Sequence, residues 1–245
     1  MTTDDLWSRG YNLLPNSPVK VDGSLFQPFI DSLESDDEQY HSMVLIMNLV
    51  QLNGFVNDYT AAVALHAFVI ETRNRLLDAR GLDLSMIHRK QEGLRLWDEM
   101  AGRDAAMTVF HFGKTLHNVR TSLRRTPTIK DKVNDDDLRN ARRELERQFR
   151  HYEIARDAVG HRAESLESVE KIKRDSVRDS SGHRYQMGYI EGDNYVATYK
   201  GQKLSVGLDE KTLRALTQIA RQVYSAFPAF IPMLPKLDHN SDINI

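Results

Sequence analysis

The chain has 245 residues, with 33 Lys+Arg against 35 Asp+Glu, a net charge of −2 and no cysteine. The missing cysteine excludes disulfides, thiolate catalysis and Cys-ligated zinc, and the balanced charge provides no overall attraction to nucleic acid or anionic membranes. A hydrophobic fraction of 40% and a charged fraction of 28% are ordinary for a soluble globular protein.

Two features bear on location. The first ten residues carry two aspartates and lack the apolar stretch of a signal peptide. The longest apolar run, residues 61–70, is about half a membrane span and contains His66. We therefore expect a cytoplasmic protein without a membrane partner.

The N-terminal half of the chain predicts an arm followed by long helices. Residues 1–35 contain three prolines and predict an irregular arm that ends in a short helix near residues 25–33. The acids of 35–38 mark the start of a helix that runs to about Ala79, with a break near Asn53–Gly54. A single helical domain is expected over 36–237, followed by a loose tail at 238–245.

Two apolar stripes with spacings of three and four predict the next helices. The first stripe ends before Thr126–Pro127. The second starts after the acids at 135–137 and continues as one helix toward Gly160. Their members are Trp97, Ala101, Ala105, Thr108, Phe112, Leu116, Val119 and Leu123 in the first, and Leu138, Ala141, Leu145, Phe149, Tyr152, Ala155 and Val159 in the second.

The apolar period changes to two beyond a polar, helix-like stretch at 163–180. Three short strand-like runs separated by turn residues predict a β-meander at about 184–208. A last helix follows Asp209, with an apolar stripe from Leu213 to Phe230. The predicted architecture is mainly α: a helical bundle with a small antiparallel β-meander inserted before its last helix.

The familiar catalytic and cofactor motifs are missing. Di-iron bundles need paired Glu-x-x-His segments, and only Glu38–His41 fits; no Walker, Gly-x-Gly-x-x-Gly or Gly-x-Ser-x-Gly element occurs. We expect structural roles for His66, His111 and His117, and we predict no cofactor and no metal.

A basic segment at 114–150 has 11 Lys+Arg and 6 Asp+Glu, a local excess of five positive charges. Such a patch could follow a phosphate backbone. The alternative, which we favour, is a solvated helix face on which arginines pair with neighbouring acids.

Two hexapeptides share the form Arg-Asp-x-x-Gly-His: Arg156 to His161, and Arg178 to His183. Arginine supplies a fixed fork of phosphate donors, and histidine transfers protons near neutral pH. The first follows a helical stripe, whereas the second has the serines and glycine of a turn. We favour Arg156–His161, because a helix fixes side-chain geometry.

The segment around Arg156, Ile154-Ala155-Arg156-Asp157-Ala158-Val159-Gly160-His161-Arg162, resembles the Arg-x4–6-His signature of HEPN domains. Asp157 matches the polar residue that often follows the arginine in this family. The predicted order of elements is also similar: a long helix, a linker, and a second long helix that ends in the motif. The β-meander departs from the minimal four-helix form. The resemblance implies a metal-independent ribonuclease of the toxin or defence type, including abortive-infection proteins, built as a homodimer.

The chemistry implied by this resemblance needs only protein groups. A histidine can take the proton of the attacking 2′-hydroxyl of RNA or protonate the leaving 5′-oxygen. An arginine can stabilise the charge of the phosphorane. A two-fold dimer brings two histidines and two arginines to one site. We assign Arg156, Asp157 and His161 as catalytic residues, RNA as substrate, and an antitoxin as a further partner. In a straight helix, positions 156 and 161 lie roughly 140° apart, so either the side chain of Arg156 would have to reach around the helix or Gly160 would have to bend the chain. The alternative is a non-catalytic HEPN-like module that binds nucleotide, RNA or a protein.

Overall fold

The computed structural model describes residues 25–78, 83–160, 167–178, 181–185 and 188–237. Most of the predicted arm, the tail at 238–245 and His161 lie outside these ranges. Within them the chain is mainly helical with a small antiparallel meander, which confirms the predicted fold class.

Helices form most of the described chain. They begin where the sequence places acids, because Asp36 and Asp135 each open a helix whose first turn holds three acidic residues. In chain order they are α1 Gln27–Asp31, α2 Asp36–Asp78, α3 Leu84–Leu123, α4 Pro127–Lys130, α5 Asp135–Gln148, α6 Ala155–Gly160, α7 Val169–Asp175 and α8 Glu210–Ser225. No helix in the described ranges is both long and apolar enough to cross a membrane.

The strands lie between α7 and α8, as the change of period predicts. Strands β1 Val177–Arg178 and β2 Arg184–Tyr185 pair with each other. The meander consists of β3 Gly188–Glu191, β4 Asn194–Tyr199 and β5 Gln202–Gly207, with β4 in the centre. Both of its pairings are antiparallel.

The chain forms two compact units, and α2, α3 and α8 contribute residues to both. The first unit comprises the described parts of Met1–Asn57, His111–Gln148 and Arg214–Ile245. Its core is the apolar side of four helices, and the predicted stripe of α8 is buried. Core residues include Leu45, Leu49, Leu52, Phe112, Leu116, Leu138, Leu145, Leu216, Val223 and Phe227.

The second unit comprises the described parts of Asp58–Phe110 and Phe149–Leu213. Its core includes side chains of the meander's central strand, of which Tyr195 is the largest. The hydroxyl of Tyr59 on α2 donates a hydrogen bond to the carbonyl of Gly207 at the end of β5. These contacts fix the meander against helical residues of the same unit.

Three helix predictions need correction. α2 continues through Asn53–Gly54 without a break. Trp97 is not in the buried stripe of α3, because 48% of it is exposed, although the other members from Ala101 to Leu123 are buried. The second stripe is not one helix, because α5 ends at Gln148 and a separate helix carries the motif.

Gly102 allows α3 to lie directly against the meander. A Cβ at this position would lie 2.6 Å from Tyr195 Cδ2 and from Ile190 Cδ1, and 2.8 Å from Tyr195 Cβ. Gly93, on the same helix, has no atom within 4 Å of its Cβ position. Alanine substitutions at the two glycines therefore separate the effect of packing on stability from the effect of helix propensity.

We predict that Gly102→Ala lowers the free energy of unfolding by about 1–3 kcal/mol, because overpacking exceeds the gain in helix propensity. Gly93→Ala is the matched control and should raise it by about 0.5–1 kcal/mol. Urea denaturation measures both. Equal stabilisation by the two substitutions would contradict the close contact.

Candidate functional site

A break in the helix places the favoured motif on a helix of its own. His151 has a left-handed backbone with φ of 63°, and a single 3-10 turn, Tyr152–Ile154, leads into α6. A left-handed conformation is unfavourable for residues other than glycine, so it marks a definite end to the preceding helix. The periodicity alone could not show this, since buried residues continue on both sides of the break.

α6 packs against β4, and Ala155 is its fully buried residue. Arg156 is the next residue, and its side chain is exposed. Among the described residues, no carboxylate pairs with its guanidinium, including Glu153 three positions earlier, which lies in the 3-10 turn. Asp157 is half-buried in the first turn of α6, where its charge suits the helix dipole.

His161 lies outside the described residues, so no distance joins it to Arg156. Gly160 is exposed and is the last residue of α6. The structure thus describes Arg156 and Asp157 on adjacent positions of one short helix, and their pairing with His161 stays a prediction.

The second hexapeptide lies in a β-hairpin, in agreement with its turn-like sequence. Arg178 ends β1, opposite Arg184 of β2, and His183 directly precedes β2. Gly182 has φ of 82°, a backbone that favours glycine. Arg178 and His183 are exposed and lie on the two sides of the hairpin turn.

The basic segment contains the acid–arginine pairs that the favoured interpretation predicts. On α5, Arg142 Nε lies 2.7 Å from Glu146 Oε1, and Arg147 donates two hydrogen bonds to Glu144. Arg139 pairs with Asp136. Part of the local positive charge is therefore neutralised within α5 itself.

Glu38 and His41, the single Glu-x-x-His segment, make separate contacts. Glu38 Oε1 accepts a hydrogen bond of 2.8 Å from the Thr128 amide at the start of α4. His41 Nε2 accepts one of 2.9 Å from Arg125 Nη1. No group of three His, Asp or Glu side chains in the described part of the chain is arranged to hold a metal ion.

The structure reveals a buried polar cluster around His66 in the second unit. His66 Nδ1 lies 2.6 Å from Asp98 Oδ1, and both side chains are almost fully buried. His66 Nε2 lies 3.4 Å from Asp193 Oδ1, in the exposed turn between β3 and β4. Arg73 Nη2 lies 3.3 Å from Asp98 Oδ2, so each oxygen of the buried carboxylate has a donor.

The charges of this cluster favour a protonated His66. Burial alone lowers its pKa, but the hydrogen bonds and charges of Asp98 and then Asp193 raise it, and the net pKa is above the usual 6.5. With His66 protonated, two cations face two carboxylates. A neutral imidazole would leave the cluster with one excess negative charge.

The sequence correctly indicates that His66 is a satisfied core residue but does not identify its partners. Asp98 is 32 positions away and Asp193 is 127 positions away, and no motif links such distances. The one usable signal is general: a histidine inside an apolar run must find a polar partner when it is buried.

Comparisons with protein-family models, with curated proteins and with solved structures found no match to this chain.

We predict that His66→Gln lowers the free energy of unfolding by about 3 kcal/mol near pH 6, because it leaves Asp98 without its closest cation. A raised histidine pKa stabilises the fold fully below the unfolded value of about 6.5, and this contribution is lost as pH rises through the folded pKa. The difference from wild type should therefore shrink in alkaline buffer. Denaturation at several pH values measures it.

His88→Gln is the matched control, because His88 is an exposed histidine on α3 of the same unit. It should change stability little at any pH. A His66→Gln deficit of the same size at pH 6 and in alkaline buffer would show that the buried imidazole is neutral.

Proposed function

We propose that this protein is a HEPN-like, metal-independent endoribonuclease of the toxin or defence type, with Arg156, Asp157 and His161 as its catalytic residues. The observation that supports it is the state of Arg156: an exposed guanidinium on a packed helix, with no carboxylate partner among the described residues. An arginine in that state can bind phosphate without first breaking an ion pair to any carboxylate of the described residues.

The arginines of α5 provide the contrast. Arg142 and Arg147 each pair with a glutamate one helical turn away, so binding a phosphate there would first displace a carboxylate. Arg156 is therefore a better phosphate site than these paired arginines of α5.

The proposed reaction is transesterification. The imidazole of His161 takes the proton of the ribose 2′-hydroxyl, and the 2′-oxygen attacks phosphorus. The bond from phosphorus to the 5′-oxygen breaks, and a second imidazole protonates that oxygen. The products are a 2′,3′-cyclic phosphate and a 5′-hydroxyl, and Arg156 stabilises the negative charge of the phosphorane between them.

The second imidazole is supplied by a second copy in this proposal, so the working form is a homodimer with Arg156 and His161 near its two-fold axis. Asp157 orients the site from the first turn of α6. An antitoxin or other protein partner would act by covering Arg156.

We predict that the protein cleaves single-stranded RNA in EDTA and that His161→Ala and Arg156→Ala abolish cleavage. The arginine should contribute about 2–4 kcal/mol to the barrier, by analogy with oxyanion-hole donors. Arg147→Ala is the control, because it removes a paired arginine and should leave the rate unchanged. Gel assays of end-labelled RNA, with detection of the cyclic phosphate, measure all four proteins.

His183→Ala separates the two hexapeptides. Loss of cleavage with His183→Ala alone would assign the reaction to the β1–β2 hairpin instead. A wild-type dimer that binds RNA or nucleotide but cleaves none would favour the non-catalytic module. A monomer by light scattering at micromolar concentration would contradict the shared site.

A further inference from the structure

The turn between β4 and β5 holds a lysine in a backbone conformation that disfavours it. Lys200 and Gly201 form the two-residue connection between Tyr199 and Gln202, which pair across the hairpin. Both turn residues have positive φ, 48° for Lys200 and 71° for Gly201. Asn-Gly is the preferred sequence for such a turn, and a left-handed backbone is unfavourable for lysine. The turn geometry therefore does not explain why a lysine is present.

The contacts of Lys200 that stabilise the fold come mainly from its backbone. Its amide donates a hydrogen bond of 3.2 Å to Asp175 Oδ1, which any residue except proline could donate. Its side chain is exposed, and the ammonium lies 5.0 Å from the centre of the Tyr199 ring. An exposed cation–π contact is weaker than the penalty of a left-handed backbone. The contacts within the chain therefore do not account for the lysine side chain.

A second cation lies at the same aromatic ring. Arg174, the last residue but one of α7, has its Cζ 5.9 Å from the centre of the Tyr199 ring. Its Nε and Nη2 each donate a hydrogen bond of 2.8 Å to the carboxylate of Asp175. Its Nη1 has no acceptor among the described residues, and 48% of the side chain is exposed. One edge of the guanidinium is therefore open to a ligand.

The carboxylate that neutralises Arg174 is buried and fully used. Asp175 has no exposed surface, and it accepts both guanidinium bonds and the Lys200 amide. The ammonium of Lys200 pairs with no carboxylate in the described part of the chain. The two cations thus present a net positive charge to solvent. An anion that contacts both would relieve their mutual repulsion.

We propose that the Lys200 ammonium and Arg174 Nη1 form a phosphate subsite beside Tyr199, which holds a backbone phosphate of RNA. Lysine and arginine are the residues that contact the phosphates of nucleic acids, and such contacts do not depend on base sequence. α6, which carries Arg156, and α7 both pack against β4. The subsite therefore adjoins the strand that supports the candidate catalytic arginine, and its choice of RNA rests on the proposed function.

Lys200→Asn separates binding from folding, because asparagine is favoured in this turn and carries no charge. The variant should keep the thermal unfolding midpoint of the wild type or raise it. Lys203→Asn is the matched control, because Lys203 in β5 is also exposed but its ammonium lies 3.7 Å from Glu191 Oε2. Arg174 is not substituted, because its loss would leave the buried Asp175 without its closest cation.

Fluorescence anisotropy of a labelled, single-stranded 2′-O-methyl oligoribonucleotide measures binding without cleavage, because the attacking 2′-hydroxyl is absent. Lys200→Asn should weaken binding about tenfold, as expected for the loss of one hydrogen bond between charged groups. The plot of log affinity against log salt concentration should become less steep by about 0.7, the value for one phosphate contact to a single strand. Lys203→Asn should keep the affinity and the slope of the wild type.

Titration with inorganic phosphate, followed by NMR of the lysine ammonium and arginine Nε–H signals, tests the subsite without RNA. Signals of Lys200 and Arg174 should shift, and those of Lys203 should not. Such shifts in a protein that does not bind the oligonucleotide would support the phosphate subsite and overturn RNA as the source of the phosphate.

Two results would overturn the subsite itself. Equal weakening by Lys200→Asn and Lys203→Asn would show that binding follows general surface charge. Wild-type affinity in Lys200→Asn, or no binding of the oligonucleotide together with no shift in phosphate, would show that Lys200 holds no phosphate. A wild-type protein that binds the oligonucleotide through Lys200 but cleaves no RNA would contradict the ribonuclease alone.

Discussion

The buried carboxylate of Asp98 imposes the requirement around which the second unit is arranged. An unpaired carboxylate in the core would cost several kcal/mol, so cations have to be brought to it. His66 and Arg73 both come from α2, which fixes that helix against α3 in one register. The remaining nitrogen of His66 reaches Asp193, and the same group that neutralises the core thereby holds the turn between β3 and β4.

The candidate phosphate site depends on this arrangement through the meander. β4 starts at Asn194, directly after Asp193, and α6 packs against β4. The contact between α6 and β4 therefore holds Arg156 in position. If the proposed ribonuclease activity is found, its pH dependence would have two separable sources: proton transfer by His161, which would change the rate of a folded protein, and loss of the His66 contacts, which would change stability as well.

The features that could be predicted from the sequence are the elements whose burial follows a local period. The meander near 184–208 and the buried stripe of α8 follow from spacing alone, because each residue's environment repeats along its own element. The break at His151 could not be predicted, since buried positions continue beyond it. The partners of His66 depend on contacts between distant segments, which no single-sequence pattern encodes. His161, one of the three proposed catalytic residues, lies outside the described part of the chain, so its pairing with Arg156 stays a prediction.

The net charge of a segment is a poor guide to which of its arginines lack an ion pair among the described residues. The segment 114–150 has an excess of five positive charges, yet three of the four arginines of α5 pair with acids one turn away. Arg156 also has an acid three residues earlier, Glu153, and an uninterrupted helix would allow the same pairing. The helix stops at Gln148, the left-handed residue His151 follows, and Glu153 falls in a 3-10 turn where no ion pair with Arg156 forms. The backbone break that the periodicity concealed is thus the physical reason why Arg156 does not pair with Glu153.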